Sequence, residues 1–145
     1  MKVEIKLIPE AKEPYAVIHA SEVTPQVQRA ADLLRADSPG VISVVENERI
    51  IVLRPDEIYM VRVENEETVI YTKDKRYISR KRLYELEAIL GKGFMRISKS
   101  ALMNLRMLDY VEPTFGGLML IVLKNKCRDY ISRKYLPSLK KYLGL

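Results

Sequence analysis

Three places in the chain put a serine and then cations at the end of an apolar, strand-like run. Tyr77-Ile78-Ser79-Arg80-Lys81 recurs letter for letter as Tyr130-Ile131-Ser132-Arg133-Lys134, and Ile97-Ser98-Lys99-Ser100 lies between the copies. The chemistry open to such groups is recognition of anions and of polar edges. A guanidinium can fork onto two acceptors, as on guanine O6 and N7, whereas lysine and serine more often grip phosphate oxygens. No fixed period links the three sites, so they read as one repeated supersecondary device and not as a solenoid.

The middle site belongs to the stretch GFMRISKSALMNLRML, Gly93 to Leu108. Met95 and Ile97 alternate with Arg96 and Ser98, the period of a half-buried strand. A turn of helix is expected next, N-capped by Ser98 or Ser100, with Ala101, Leu102 and Leu105 turned inward. Arg96, Lys99 and Arg106 then remain for the outside. Asn104 reads as a cap or turn-former and not as a base reader.

Other chemistry has little to stand on. The single cysteine, Cys127, excludes an internal disulfide and a cysteine-based metal cage, and it reads as a small apolar filler in a strand. The only histidine, His19, is more than a hundred residues away and reads as an ordinary strand residue, so a nucleophile and base pair is poorly supported. Glu85 and Glu87 stand two apart in a helical pattern and do not face each other. No metal, no cofactor and no enzymatic activity are expected.

The charge of +6 is unevenly spread over the 145 residues. Residues 1–72 hold 8 Lys/Arg against 13 Asp/Glu, a balance of −5, whereas residues 73–145 hold 17 against 6, a balance of +11. Such an excess in patterned, folding-competent sequence implies a polyanionic partner, nucleic acid before anionic membrane. There is no run of 18 uncharged apolar residues, and the start alternates like a strand, so a cytoplasmic protein without membrane insertion is expected.

The elements that position the cations can be read in order. Residues 2–8 and Tyr15–Ala20 read as strands on either side of a break from Pro9 to Pro14. Thr24 and Pro25 open a helix carrying Val27, Ala30, Ala31 and Leu34, which Asp37-Ser38-Pro39-Gly40 ends. Strands follow at 41–45 and 49–53 about Glu46-Asn47-Glu48, at 58–63 and 68–72 about Glu64–Glu67, and at 76–79. Leu83, Leu86 and Leu90 mark a helix that Gly91 and Gly93 stop. Strands at 108–111, 118–123 and 127–132 precede a last helix with Leu136, Leu139 and Leu143 inward and Lys140 and Lys141 solvated at its end.

The segment from about Val41 to Leu145 resembles the LytTR family of bacterial DNA-binding domains. The resemblance rests on the strands from Val41, RLYELEAIL before a phenylalanine, FMRISKSALMNL, DYVEP, and the late hairpin LIVLKNKCRDYISRKYLPSLKKYL. It implies an α+β fold of mostly antiparallel short strands with a few short helices, whose loops enter the major groove as a transcription regulator on tandem direct repeats. Domains are expected at 1–40, a strand-strand-helix extension, and at 41–145. Carried over by position, DNA contacts fall on Arg96, Ser98 and Lys99 and on Arg133, with Lys134 and Tyr135 adjacent. Arg80 and Lys81 join them from the repeated motif. The early contact loop corresponds to Glu64–Glu67, whose carboxylates oppose phosphates yet can accept from cytosine N4.

This chain has Ser98 and Lys99 where the family often has histidine and arginine, so base preference there does not carry over. A leader of 40 residues is too short for the phosphorylated receiver domain of many members, so signal input is expected through dimerisation, a regulatory protein partner or expression level. A homodimer is expected at least on DNA. Two other readings stay open. One is an RNA-binding module, given nine tyrosines, although Tyr77, Tyr84, Tyr130, Tyr135 and Tyr142 suit core positions. The other is a protein-interaction domain docking a basic partner through the acidic half.

Overall fold

The structure, a computed structural model, describes residues 1–10, 14–35 and 40–145. The expected helix stop at Asp37-Ser38-Pro39 and residues 11–13 of the expected break lie outside the described residues. The chain divides into two units, residues 1–35 and 36–145.

In the first unit α1 (Pro25–Arg35) forms where Thr24 and Pro25 predict it. The Thr24 hydroxyl oxygen accepts from the Val27 N–H at 3.2 Å, satisfying a donor that the first turn leaves without a partner. The two expected strands are not there: residues 2–8 and 15–20 take no regular secondary structure. Alternation makes a strand only where a ladder partner exists, and Val3, Ile5 and Leu7 are left largely exposed. His19 is likewise exposed and outside any strand.

The second unit runs β1 (Ile42–Glu46), β2 (Arg49–Leu53), β3 (Met60–Glu64), β4 (Glu67–Tyr71), β5 (Arg76–Ser79), α2 (Leu83–Leu90), β6 (Phe94–Ser98), β7 (Ala101–Asn104), β8 (Leu108–Pro113), β9 (Met119–Leu123), β10 (Arg128–Ile131) and α3 (Leu136–Leu143). Every strand pairing is antiparallel. The strands form a β1-β2 hairpin, a five-stranded sheet ordered β5-β4-β3-β7-β6, and a three-stranded sheet ordered β10-β9-β8. The expected α+β class with short antiparallel strands therefore holds.

Both faces of the five-stranded sheet are covered. One apolar cluster joins Ile42 and Val44 of β1 and Leu53 of β2 to Leu83, Leu86 and Leu90 of α2, over Val61, Ile70 and Leu102. A second joins Met60, Ile97 and Met103 to Ile121, Leu123, Ile131 and Leu139. This double coverage corrects one expectation. Residues 101–104 form strand β7, not a helical turn, and all four are buried. A strand buried on both faces loses its alternation and looks like a buried helix segment.

Turn chemistry explains the rest of the frame. Asn47 and Glu48 (φ 50° and 62°) and Asn65 and Glu66 (φ 49° and 66°) are left-handed, the two-residue loops that match strand twist. Buried Asn104 forms a turn as expected: its Nδ2 donates to Ile58 O at 2.8 Å and Pro55 O at 3.2 Å, and its Oδ1 accepts from Arg106 N at 3.1 Å. Cys127 packs against the second cluster as a filler just before β10, and burial pushes its thiol pKa up. Only Tyr77 and Tyr135 of the five tyrosines pack against the cores; Tyr84, Tyr130 and Tyr142 are at least half exposed, because they fall on outward faces.

Candidate nucleic-acid interface

Strand direction decides where the cations go. In the order β5-β4-β3-β7-β6 with all neighbours antiparallel, β5, β3 and β6 run the same way and end at one rim. That rim therefore carries the exit of β5 with Arg80 and Lys81, the β3-β4 turn with Asn65 and Glu66, and the β6-β7 turn with Lys99 and Ser100. The exit of β10 joins it directly, since the Ser132 N–H donates to Ile97 O at 2.7 Å. A second tie fixes the middle, where the Val63 N–H donates to Ser100 O at 2.8 Å. Arg106 is exposed but follows the far end of β7 and does not join this group.

The serines build the exits. Ser98 Oγ accepts from the Ser100 N–H at 3.2 Å, and Ser79 Oγ accepts from the Lys81 N–H at 3.1 Å, the same turn two residues long in both places. Ser132 uses its carbonyl, accepting from Tyr135 N at 3.0 Å and Leu136 N at 3.1 Å to open α3. Arg80, Lys81, Lys99, Arg133 and Lys134 are exposed, while Ser98 and Tyr135 are half-buried. The Lys134 ammonium lies over the Tyr135 ring, 5.3 Å from its centre, so these two hold each other.

Arg96 is engaged from two sides. It pairs with Glu87 of α2 through Nε, and its Nη1 donates to Lys99 O at 2.8 Å. Only 21% of its side chain is accessible. It braces the turn that presents Lys99. Arg96 alternates with Phe94 and pairs with Leu102, both in the α2 cluster, which puts it on the α2 side; the one-residue bulge at Ile97 follows, and Ser98 then pairs with Ala101.

An ionic cluster unforeseen in the sequence lies between the sheets. Arg62 Nε pairs with Glu64 at 2.8 Å, its Nη1 donates to Arg128 O at 3.0 Å and faces Asp129 at 3.5 Å, and its guanidinium carbon lies 4.9 Å from the Tyr71 ring centre. The Tyr71 hydroxyl donates to Glu64 at 2.5 Å and Arg76 approaches the other Glu64 oxygen at 3.7 Å. The Tyr71 hydrogen bond, with Arg62 beside it, holds the Glu64 carboxyl below the usual carboxylate range against the effect of burial. Burial opposes the charge on Arg62, but Tyr71 and Glu64 outweigh it and raise its pKa. Glu64 is thus turned inward, and Glu66 and Glu67 are the exposed acids of the early loop, lining a cleft with Arg80 and Lys81. The one available signal was a cation inside the alternating run of β3, between Val61 and Val63.

Among the described residues, no group of three or more His, Cys, Asp or Glu could hold a metal, and no helix is long and apolar enough to cross a membrane. Five strands separate α2 from α3, so these helices do not make a helix-turn-helix pair.

Comparison with known proteins gives this architecture relatives. The chain is similar over its full length to proteins named uncharacterized HTH-type transcriptional regulators in Staphylococcus aureus. Those of strains bovine RF122 and MSSA476 are each 28% identical over 147 residues, covering 100% of this chain and 99% of the relative. A solved LytTr DNA-binding domain from Bacillus cereus superposes with a TM-score of 0.67 at 19% identity, covering 74% of this chain and 100% of that one, which is likeness of fold. Residues 48–144 match the LytTr DNA-binding domain family, which is not an enzyme class. The strand-rich unit with its cation-bearing rim is accordingly a LytTR domain, and the chain belongs to that family.

Proposed function

We propose that this chain is a cytoplasmic transcription regulator that binds double-stranded DNA sequence-specifically, as a homodimer on tandem direct repeats, with strand exits in the major groove. The observation that carries this reading is the Ser132–Ile97 hydrogen bond at 2.7 Å, which joins the exits bearing Lys99 and Arg133 into one edge. Arg133, exposed in the turn between β10 and α3, is the base reader. Ser98 and Lys99 approach the backbone or base edges beside it, and Arg96 holds their turn.

Arg80 and Lys81 have a different role. Four strand spacings separate β5 from β6, about 19 Å at the usual spacing of neighbouring strands. That exceeds the width of a major groove, about 12 Å. The β5 exit therefore falls on flanking phosphates, and the acidic β3-β4 turn falls between, over base edges. The order of charge across the rim, cation then acid then cation, follows the order phosphate, base edge, phosphate.

Binding to cognate and scrambled duplexes across a salt series tests this. Arg133→Ala should cost about 1–3 kcal/mol on the cognate site and little on the scrambled one. Lys81→Ala should weaken both alike and lower the slope of log K against log salt by about one. Equal losses on both duplexes for Arg133→Ala would refute the assignment.

A further inference from the structure

We propose that Arg62 is a positioning residue that fixes the DNA-reading exit of β10 against the five-stranded sheet, so that selectivity depends on a side chain placed away from the cation-bearing exits. This rests on the reading of Arg133 as the base reader. Arg62 lies on β3, and its partners come from three separate strands: Glu64 of β3 itself, the Tyr71 ring of β4, and Arg128 O with Asp129 of β10. β3 and β10 belong to different sheets, and no ladder joins them. Arg62 spans that gap with one planar fork, using Nε on its own sheet and Nη1 on the other.

The geometry explains why arginine is needed. A guanidinium gives donors at fixed angles and also stacks on an aromatic face, and a lysine ammonium at the same place offers one point charge. Glu64 is held in turn by the Tyr71 hydroxyl, so the fork has a rigid base. From Asp129 the chain reaches Ser132 in three residues and Arg133 in four. Beside its ladder with β9 and the packing of Ile131, β10 is hydrogen-bonded to the five-stranded sheet at both ends, by Arg62 at the strand's start and by the Ser132–Ile97 bond at its end. Removing the first leaves the second as a hinge.

Two measurements on the full chain test this. In Arg62→Met, exchange of the Ser132 amide should speed up by about tenfold while the Leu102 amide in β7 stays protected, because the loss is local. The ratio of cognate to scrambled affinity should fall by about tenfold, and adding Arg133→Ala should lower it no further, since residues acting as a unit are not additive. Arg62→Lys should behave as Arg62→Met. Asp129→Ala, which leaves Glu64 and Tyr71 in place, should give the same direction at smaller size and serves if Arg62→Met does not fold. Unchanged Ser132 exchange in a folded variant, or rescue by lysine, would overturn the proposal. If Arg133→Ala alone leaves the ratio intact, the base-reading assignment fails, and the Ser132 amide still decides whether Arg62 positions the exit.

Discussion

The two copies of Tyr-Ile-Ser-Arg-Lys share five letters and end up in different surroundings. At residues 77–81 the motif closes an edge strand of the five-stranded sheet: Ser79 is buried, pairs with Thr68, and caps its own turn with its hydroxyl. The helix beyond it, α2, buries Leu83, Leu86 and Leu90. At residues 130–134 the motif closes a strand of the smaller sheet, and its serine reaches through its amide to Ile97 of the other sheet. The helix beyond, α3, buries only Leu139. Local sequence builds the same strand, turn and helix twice, and the long-range partner then divides the labour. The buried, self-capped copy supplies a stiff edge, and the spliced copy carries a cation to the neighbouring Lys99 turn.

The largest effect that separates the two copies concerns their helices. Leu90→Ala should destabilise the domain by about 2–5 kcal/mol, because Leu90 is fully buried among well-packed neighbours. The α3 counterpart Leu143→Ala should cost less than about 1 kcal/mol, since Leu143 is 40% exposed. Urea unfolding of the two variants reads the difference directly. Similar losses would mean that α3 is as deeply anchored as α2, and the contrast between the copies would fail.

The next effect concerns pH. Glu64 has a folded pKa below its ordinary 4.5, so its contribution to stability is complete above that value and is lost as pH falls through the folded value. Glu64→Gln should lose on the order of 1.5 kcal/mol at neutral pH, the size of a hydrogen bond to a charged group. It should also flatten the fall in stability from neutral pH into the acid range below 4.5, where the Glu64 contribution is lost. Urea midpoints across that range test both parts. A variant that keeps the wild-type acid limb would place the acid sensitivity elsewhere and remove the distinction between the inward Glu64 and the exposed Glu66 and Glu67.

Much of this was legible in the chain because it was local. The Glu-Asn-Glu turns, the leucine stripe of α2, the terminal glycines and the serine-cation exits depend on residues a few positions apart. What escaped depended on distant partners. β7 hid its period because one face meets the α2 cluster and the other the second sheet. Residues 2–8 alternated, yet a strand needs a ladder that no sequence pattern supplies. Arg96, expected on the outside, pairs with Glu87, which is nine positions away on a helix and shows no local pairing signal. The joining of Ser132 to Ile97, on which the convergence of the two exits depends, spans 35 residues and involves only backbone atoms.

The smallest effect compares the two hairpins with the same turn residues. Asn47-Glu48 joins β1 to β2 and Asn65-Glu66 joins β3 to β4, and both glutamates have left-handed φ, 62° and 66°. A side chain there costs about 1 kcal/mol relative to glycine, so Glu48→Gly and Glu66→Gly should each stabilise the fold by up to about 1 kcal/mol in thermal unfolding. Glu66 lies on the rim with the cations, in the β3-β4 turn, whereas Glu48 closes the separate β1-β2 hairpin. Glu66→Gly alone should therefore strengthen binding to scrambled duplex at low salt, through loss of one repelling carboxylate, and should narrow the gap between cognate and scrambled sites if that carboxylate accepts from a base amine. Equal DNA effects from both substitutions would mean that net charge, and not the place of Glu66 between Lys81 and Lys99, governs binding.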